Sequence, residues 1–390
     1  MAKTKTKTSK KARRKESSPA SLASVLQNIA KHDEHHTANI DSLISKASLL
    51  LQEHSDPDQA LKVITAALSK NPTNLQALEL AGEINIELQD IPTAIRCFTT
   101  ATNLDPDGVA SGAEKFLWLA QICEEGNEVA IMWYEKAVKV LRSKASQGDI
   151  DEEVKEKLCS ALCGMAELYM TDLCMQPDAE SRCETYITEA LLVHPSSPEA
   201  LSTLASFRIS QSKPGDARAA LSRSLEVWKD LEAGDGTIPP YPFRMSFTRL
   251  LMECGMYEET MDVLEGLQEE DDQVVDLWYL GGWCLFLIGD KLRKGEKAPT
   301  AGMSGEEEEE EDWRDTWAAA REWLWNCEKL YKAFEWDDEG IKEHASELLR
   351  NISAELGEAK PDDEKDEEEG EGGDWEDFED EDGDEEMKDS

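Results

Sequence analysis

The apolar positions of this 390-residue chain fall into columns that repeat every 34 residues. Ala60, Ile64, Ala67 and Pro72 return as Ala94, Phe98, Ala101 and Pro106. Further on, Cys183, Ile187 and Ala190 return as Ala217, Leu221 and Ser224. Columns four and then three residues apart lie along one face of a helix. A fixed period between about 20 and 50 residues is the signature of a solenoid, in which each unit buries its apolar face against its neighbours. The pattern therefore predicts an all-α chain with a groove along its inner helices.

Read outward from these columns, the chain divides into helix pairs. The first two run over 40–53 with 57–70 and 74–88 with 91–103. A third joins Phe116–Cys123 to Glu128–Leu141, with Ala120, Ala130, Tyr134 and Ala137 as contact residues. The fourth pairs 152–175 with 178–193, the fifth 198–211 with 214–231, and the sixth 243–254 with 257–268. Between the fifth and sixth, Gly234 to Pro242 is rich in turn residues and marks a break. The seventh pair is interrupted. Its first helix, Val274–Asp290, holds Trp278 and Trp283; its second begins near Trp313 and holds Trp317, Trp323 and Trp325. A last amphipathic helix over 338–356 serves as the cap that a terminal repeat requires. The expected domains are a basic disordered segment over 1–38, a repeat body over 39–356 with an acidic disordered insertion at 291–312, and an acidic disordered tail over 357–390.

The repeats resemble the tetratricopeptide family, whose 34-residue unit is a helix–turn–helix with small residues at the crossing and a proline after the second helix. The second repeat carries the match most fully: Leu75, Leu78, Ala81 and Gly82, then Ala94, Phe98, Ala101 and Pro106. The first repeat follows with Ile44, Ala47, Ser48 and Leu51, then Ala60 to Pro72. The resemblance extends over 160–230 and weakens beyond 241. It implies a right-handed superhelix of about seven helix pairs plus a capping helix, with the first helix of each pair facing the concave side.

Charge changes this picture from a generic scaffold to a specific one. Lys and Arg number 41 and Asp and Glu 84, a net charge of −43. Residues 1–16 carry +7 and residues 358–390 carry −17, so the stretch between them holds −33. A nucleic-acid binder needs the opposite sign across its body, and none is expected as a direct partner. No apolar run approaches the roughly 18–20 residues of a membrane span, and the lysine-rich start lacks the apolar stretch of a secretory signal. Nine cysteines, scattered with no Cys-x-x-Cys pair, read as core thiols of a reducing compartment. Cys159 and Cys163 are one turn apart, a spacing that also suits a shared metal.

Catalytic chemistry finds little support. Gly-x-Gly-x-x-Gly, the phosphate-loop motif and Gly-x-Ser-x-Gly are absent. His32, His35 and His36 have metal-compatible helical spacing, but a solvated polar stretch is the ordinary reading. No enzyme activity and no cofactor are expected. The groove offers more. Glu79, Glu83 and Glu87, spaced by four, share one face of the second repeat's first helix. The third repeat adds Trp118 as a flat apolar platform, with Glu124 and Glu125 at its first helix's end; the fourth adds Glu167 and Asp172. Such a groove suits a Lys/Arg-rich peptide or loop. It would repel the chaperone C-terminal carboxylate that some modules of this family clamp. At the N-terminus, Lys10, Lys11, Arg13, Arg14 and Lys15 resemble a nuclear localisation signal, with a nonspecific nucleic-acid arm as the alternative. In the tail, Trp375 and Phe378 are embedded in acid, where they can hold a basic partner or simply aid solubility.

A tetratricopeptide body with a basic head, a late acidic insertion and an acidic tail resembles the fungal assembly chaperones dedicated to large-subunit ribosomal protein four. The resemblance lies in the whole layout rather than in a short motif. It implies capture of a basic ribosomal protein by its long internal loop, escort from cytoplasm to nucleus, and release during assembly of the 60S subunit; an importin is expected as a partner through the N-terminal basic segment, and the chain is expected to be a monomer. Two alternatives stay open: a histone chaperone with interrupted tetratricopeptide repeats, in which the acidic block falls in an early repeat, and a general repeat scaffold.

Overall fold

The computed structural model describes residues 39–52, 55–146, 151–232, 234–295 and 312–359. The expected N-terminal signal, the His32–His36 cluster, Glu306 to Glu311 and residues 360–390 of the expected acidic tail lie outside these residues. Among the described residues the secondary structure is entirely helical, and the chain divides into two compact units, the first ending at Val193 and the second beginning at His194.

The first unit contains four antiparallel pairs. Helix α1 covers 39–52 and α2 Pro57–Lys70; α3 (Leu75–Glu87) pairs with α4 (Ile91–Leu104), α5 (Glu114–Gln121) with α6 (Asn127–Ala145), and α7 (Glu152–Met170) with α8 (Ala179–Val193). Helix starts follow from capping. Asp56, Asn74 and Asp90 each accept the backbone N–H three residues on, at 3.0, 2.8 and 3.2 Å, satisfying donors that the helix itself cannot. Helix ends follow from Pro72 and Pro106, each placed one residue after the C-cap, where the ring prevents another turn.

The 34-residue columns form the core. Ala60, Ile64, Ala67, Ala94, Phe98 and Ala101 are completely buried, and Cys183, Ile187 and Ala190 are nearly so. Gly82 lets α3 approach α4: a Cβ there would lie 2.4 Å from the Phe98 ring. Cys159 and Cys163 both lie on the buried face of α7. That helix stops at Met170, five residues short of the expected end. The Thr171 hydroxyl donates back to the Glu167 carbonyl at 2.8 Å, and the chain turns away through 171–178.

The second unit pairs α9 (Pro198–Ser210) with α10 (Pro214–Trp228), α11 (Tyr241–Glu253) with α12 (Tyr257–Glu270), and α13 (Val275–Arg293) with α14 (Trp313–Ala333); α15 (Glu339–Leu356) packs on the last pair. Here Ala217, Leu221 and Ser224 fill the repeating columns, all fully buried. The interrupted seventh pair closes through glycine and tryptophan. A Cβ at Gly281 would sit 2.1 Å from the Trp323 ring, and one at Gly289 2.3 Å from Trp317. Trp317 stacks on Phe286 at 4.9 Å and donates its indole N–H to the Phe286 carbonyl at 3.0 Å. No helix among the described residues is long and apolar enough to cross a membrane.

Candidate functional site

In the first unit, side chains from α3, α5 and α7 meet on one face. The register of α3 places Glu79 and Glu83 there one turn apart. Glu79 is drawn inward: its side chain is only 12% exposed, accepts the Ser111 hydroxyl at 2.5 Å and lies 3.5 Å from the Lys115 ammonium. Glu83, half-buried one turn on, accepts a hydrogen bond from the Trp118 side chain. Glu87 is exposed at the end of the helix.

Lys115 organises this face. It is fully buried, and its ammonium donates to Asp105 at 2.9 Å, to the Ser111 hydroxyl at 2.8 Å and to the Gly112 carbonyl at 3.1 Å, while lying 4.8 Å from the Phe116 ring. Asp105 in turn accepts the backbone N–H groups of Val109, Ala110 and Ser111 at 2.9–3.1 Å. These bonds fold the connection from α4 to α5 into a compact loop, with Gly108 and Gly112 in the left-handed region that its turns require. Next to it, Glu114 accepts from Lys157 of α7 at 2.7 Å, and Lys157 also reaches Glu153 at 2.5 Å.

Electrostatics splits these carboxylates into two groups. Burial, opposed in part by Ser111 and Lys115, raises Glu79 above the ordinary Glu value. Burial and the adjacent charge of Glu79 raise Glu83. Burial acts in the same direction on Asp105 and Glu114, but Lys115 with the loop N–H groups outweighs it at Asp105, and Lys157 outweighs it at Glu114, so both end below their ordinary values. Asp105 and Glu114 are thus structural anions with dedicated cations. Glu79 and Glu83 are half-buried anions that their surroundings shift the other way, Glu79 despite its contact with Lys115.

Trp118 stacks on Phe98, ring centroids 6.2 Å apart and planes 14° from parallel, so the platform is braced by the repeat's central aromatic residue. Glu124 and Glu125 lie exposed in the turn after α5, and Asp172 in the turn after α7; Glu167 is exposed on the last turn of α7. The structure therefore brings Glu79, Glu83 and Trp118 together and leaves the other acids at the helix ends. Asp105, Glu114, Lys115 and Lys157 were not singled out from the sequence. A signal was present: continuing the 34-residue period from Asn74 and Leu75 reaches Gly108 and Val109, whereas α5 begins at Glu114, so residues have been added there.

Among the described residues no group of three or more His, Cys, Asp and Glu side chains has the geometry to hold a metal ion. No protein-family model matches the chain. It is 44% identical over 331 residues to a protein of Emericella nidulans described as "Probable assembly chaperone of rpl4", covering 82% of this chain and 83% of that one. It is 39% identical over 317 residues to a protein of Schizosaccharomyces pombe with the same description, covering 80% and 90%. A solved structure described as the assembly chaperone of RpL4 (Acl4), residues 1–338, superposes with a TM-score of 0.60 at 38% identity, over 66% of this chain and all of that one.

Proposed function

The chain belongs to the family of assembly chaperones of Rpl4, and from that premise we propose that it holds this ribosomal protein on the acidic, aromatic face of its first unit. The observation that carries the reading is the meeting of Glu79, Glu83 and Trp118 on one face. Glu83, whose proton affinity is raised by burial and by the charge of Glu79, gains from an incoming Lys or Arg, and the indole offers it a flat surface. Glu87, Glu124, Glu125, Glu167 and Asp172 extend the negative field and speed encounter with a basic loop. The function is binding, solubilisation and delivery, with no chemical step. Delivery to the nucleus is assigned to Lys10, Lys11, Arg13, Arg14 and Lys15 through an importin, which fits assembly of the 60S subunit there.

The test is titration of the ribosomal protein, or its isolated basic internal loop, against the purified full chain. Reversing Glu83 and Glu87 to Lys should weaken binding at least about tenfold, since charge-assisted contacts contribute about 1.5 kcal/mol or more each. Glu79 is left intact because a lysine there would face buried Lys115. Rising salt should weaken the parent steeply. Unchanged affinity in the folded double variant would refute the face as the binding site.

A further inference from the structure

In the second unit, the turn joining α14 to α15 carries two aromatic side chains that the fold leaves in solvent. Phe334 is 50% exposed and Trp336 42% exposed. Every other described Phe, Tyr and Trp is buried or half-buried. The turn is firmly built: the Phe334 N–H donates to the Leu330 carbonyl at 2.9 Å and the Trp336 N–H to the Tyr331 carbonyl at 3.0 Å. Glu335 sits between them at φ 50°, in the left-handed region where glycine is the usual choice.

Negative charge surrounds the pair. Residues 334–339 read Phe-Glu-Trp-Asp-Asp-Glu, four acids and no base. Desolvation, then the charges of Asp337, Asp338 and Glu339, push the half-buried Tyr331 phenol above its ordinary value, which places those acids around the same corner. Trp278 packs into the cluster with Tyr331 and donates its indole N–H to the Asp272 carbonyl at 2.7 Å, bringing the exposed Asp271–Asp272 turn alongside. Neighbouring cations include Lys332, 3.6 Å from Glu328, and Lys342, 5.8 Å from the Tyr331 ring centre. Lys342 over Tyr331 shows the chemistry that the corner accepts: an ammonium against an aromatic face in a negative field.

We infer that this corner is a second docking surface, in which Phe334 and Trp336 receive Lys or Arg side chains of a basic segment of the held protein while Glu335, Asp337 and Glu339 supply the counter-charge. The occupant follows from charge complementarity. An exposed aromatic pair in an acidic turn gains from guanidinium and ammonium groups, and repels acidic or phosphate-bearing partners. The inference rests on the reading of the chain as a holder of a basic protein, but the surface belongs to a different unit from Glu83.

The probe is a fluorescein-labelled twelve-residue peptide of alternating Arg, Lys and Gly, followed by anisotropy with the full chain. Phe334→Ser with Trp336→Ser should weaken binding about three- to tenfold, with the melting temperature within about 2 °C of the parent because both rings already face water. Glu335→Lys with Asp337→Lys should weaken it similarly and flatten its salt dependence. Both losses should persist when Glu83→Lys and Glu87→Lys are already present, which separates this surface from the first unit's face. Unchanged affinity in both folded pairs overturns the inference. A second overturning result is a parent that binds more tightly once residues 1–38 are removed, with the gain abolished by Phe334→Ser and Trp336→Ser. The corner would then be occupied by the chain's own lysine-rich N-terminal segment.

Discussion

The α3–α5–α7 face and the α13–α14 pair are both built from helices of the same repeat type, yet they are closed by opposite chemistries. On the first, neighbouring helices are joined by charge: Glu79 to Ser111 and Lys115, Asp105 to Lys115, Glu114 to Lys157. In the second, they are joined by shape, with the Trp323 ring on Gly281 and Trp317 on Gly289. Polar closure makes the packing of these helices depend on charge, and so on pH. At the Gly281 and Gly289 crossings apolar closure uses no charge. One architecture thus closes its helix pairs in two ways.

The largest expected effect breaks the polar side. Lys115→Met leaves Asp105 buried without its cation and should destabilise the first unit by about 3–5 kcal/mol, read by chemical denaturation. The sign with pH is fixed. Asp105 has a lowered value in the fold, so its contribution is present above the unfolded carboxylate range and lost on acidification. In the variant the deficit should shrink as pH falls and Asp105 takes up a proton. Next comes the apolar side. Gly281→Ala forces a methyl group into the Trp323 ring and should cost about 1–3 kcal/mol, with no dependence on salt. A salt-dependent loss would show that charge also acts at the Gly281 crossing.

A smaller effect sharpens the contrast. Glu83 has a raised value in the fold, so relative to the unfolded chain it is favoured while protonated, and that advantage is lost as pH rises through its folded value. At neutral pH Glu83→Gln should therefore raise the melting temperature by about 1–2 °C while weakening client binding severalfold. A variant that lost both stability and affinity would mean that Glu83 is a structural anion like Asp105. The smallest effect is expected for Glu124→Gln with Glu125→Gln. These carboxylates are exposed in the turn after α5, and the change in affinity should stay within about twofold.

The repeating columns were legible because packing enforces them. Ile64 and Phe98, 34 residues apart, are both fully buried, and so is Leu221 in the second unit. The positions of Glu79 and Glu83 were legible for the same reason, since helix register fixes them relative to Ala81 and Gly82. Their surroundings were not. Lys115 is buried among acids contributed by segments 10 and 36 residues away, and burial of a lysine runs against every composition rule. Only the added residues between Pro106 and Glu114 hinted that the α4–α5 connection had a structure of its own. Asp172 left the α7 stripe because the backbone leaves helical geometry at the C-cap Thr171, at φ −106° and ψ −93°, a turn that periodicity cannot show.

The helix ends on either side of residues 296–311 are held by one arginine. The Arg293 guanidinium lies 5.3 Å from the Trp313 ring centre and 5.4 Å from that of Trp317, and bonds Glu355 at 2.7 Å. The end of α13 and the start of α14 are therefore pinned together by contacts that make no use of the chain between them. Under loop-closure entropy, each doubling of that connection's length costs only about 0.6 kcal/mol. Its length and composition are thus uncoupled from the stability of the seventh pair. Replacing residues 296–311 with a short glycine–serine linker should leave α13 and α14 paired, and lineages can lengthen, shorten or recharge this stretch without rebuilding the fold around it.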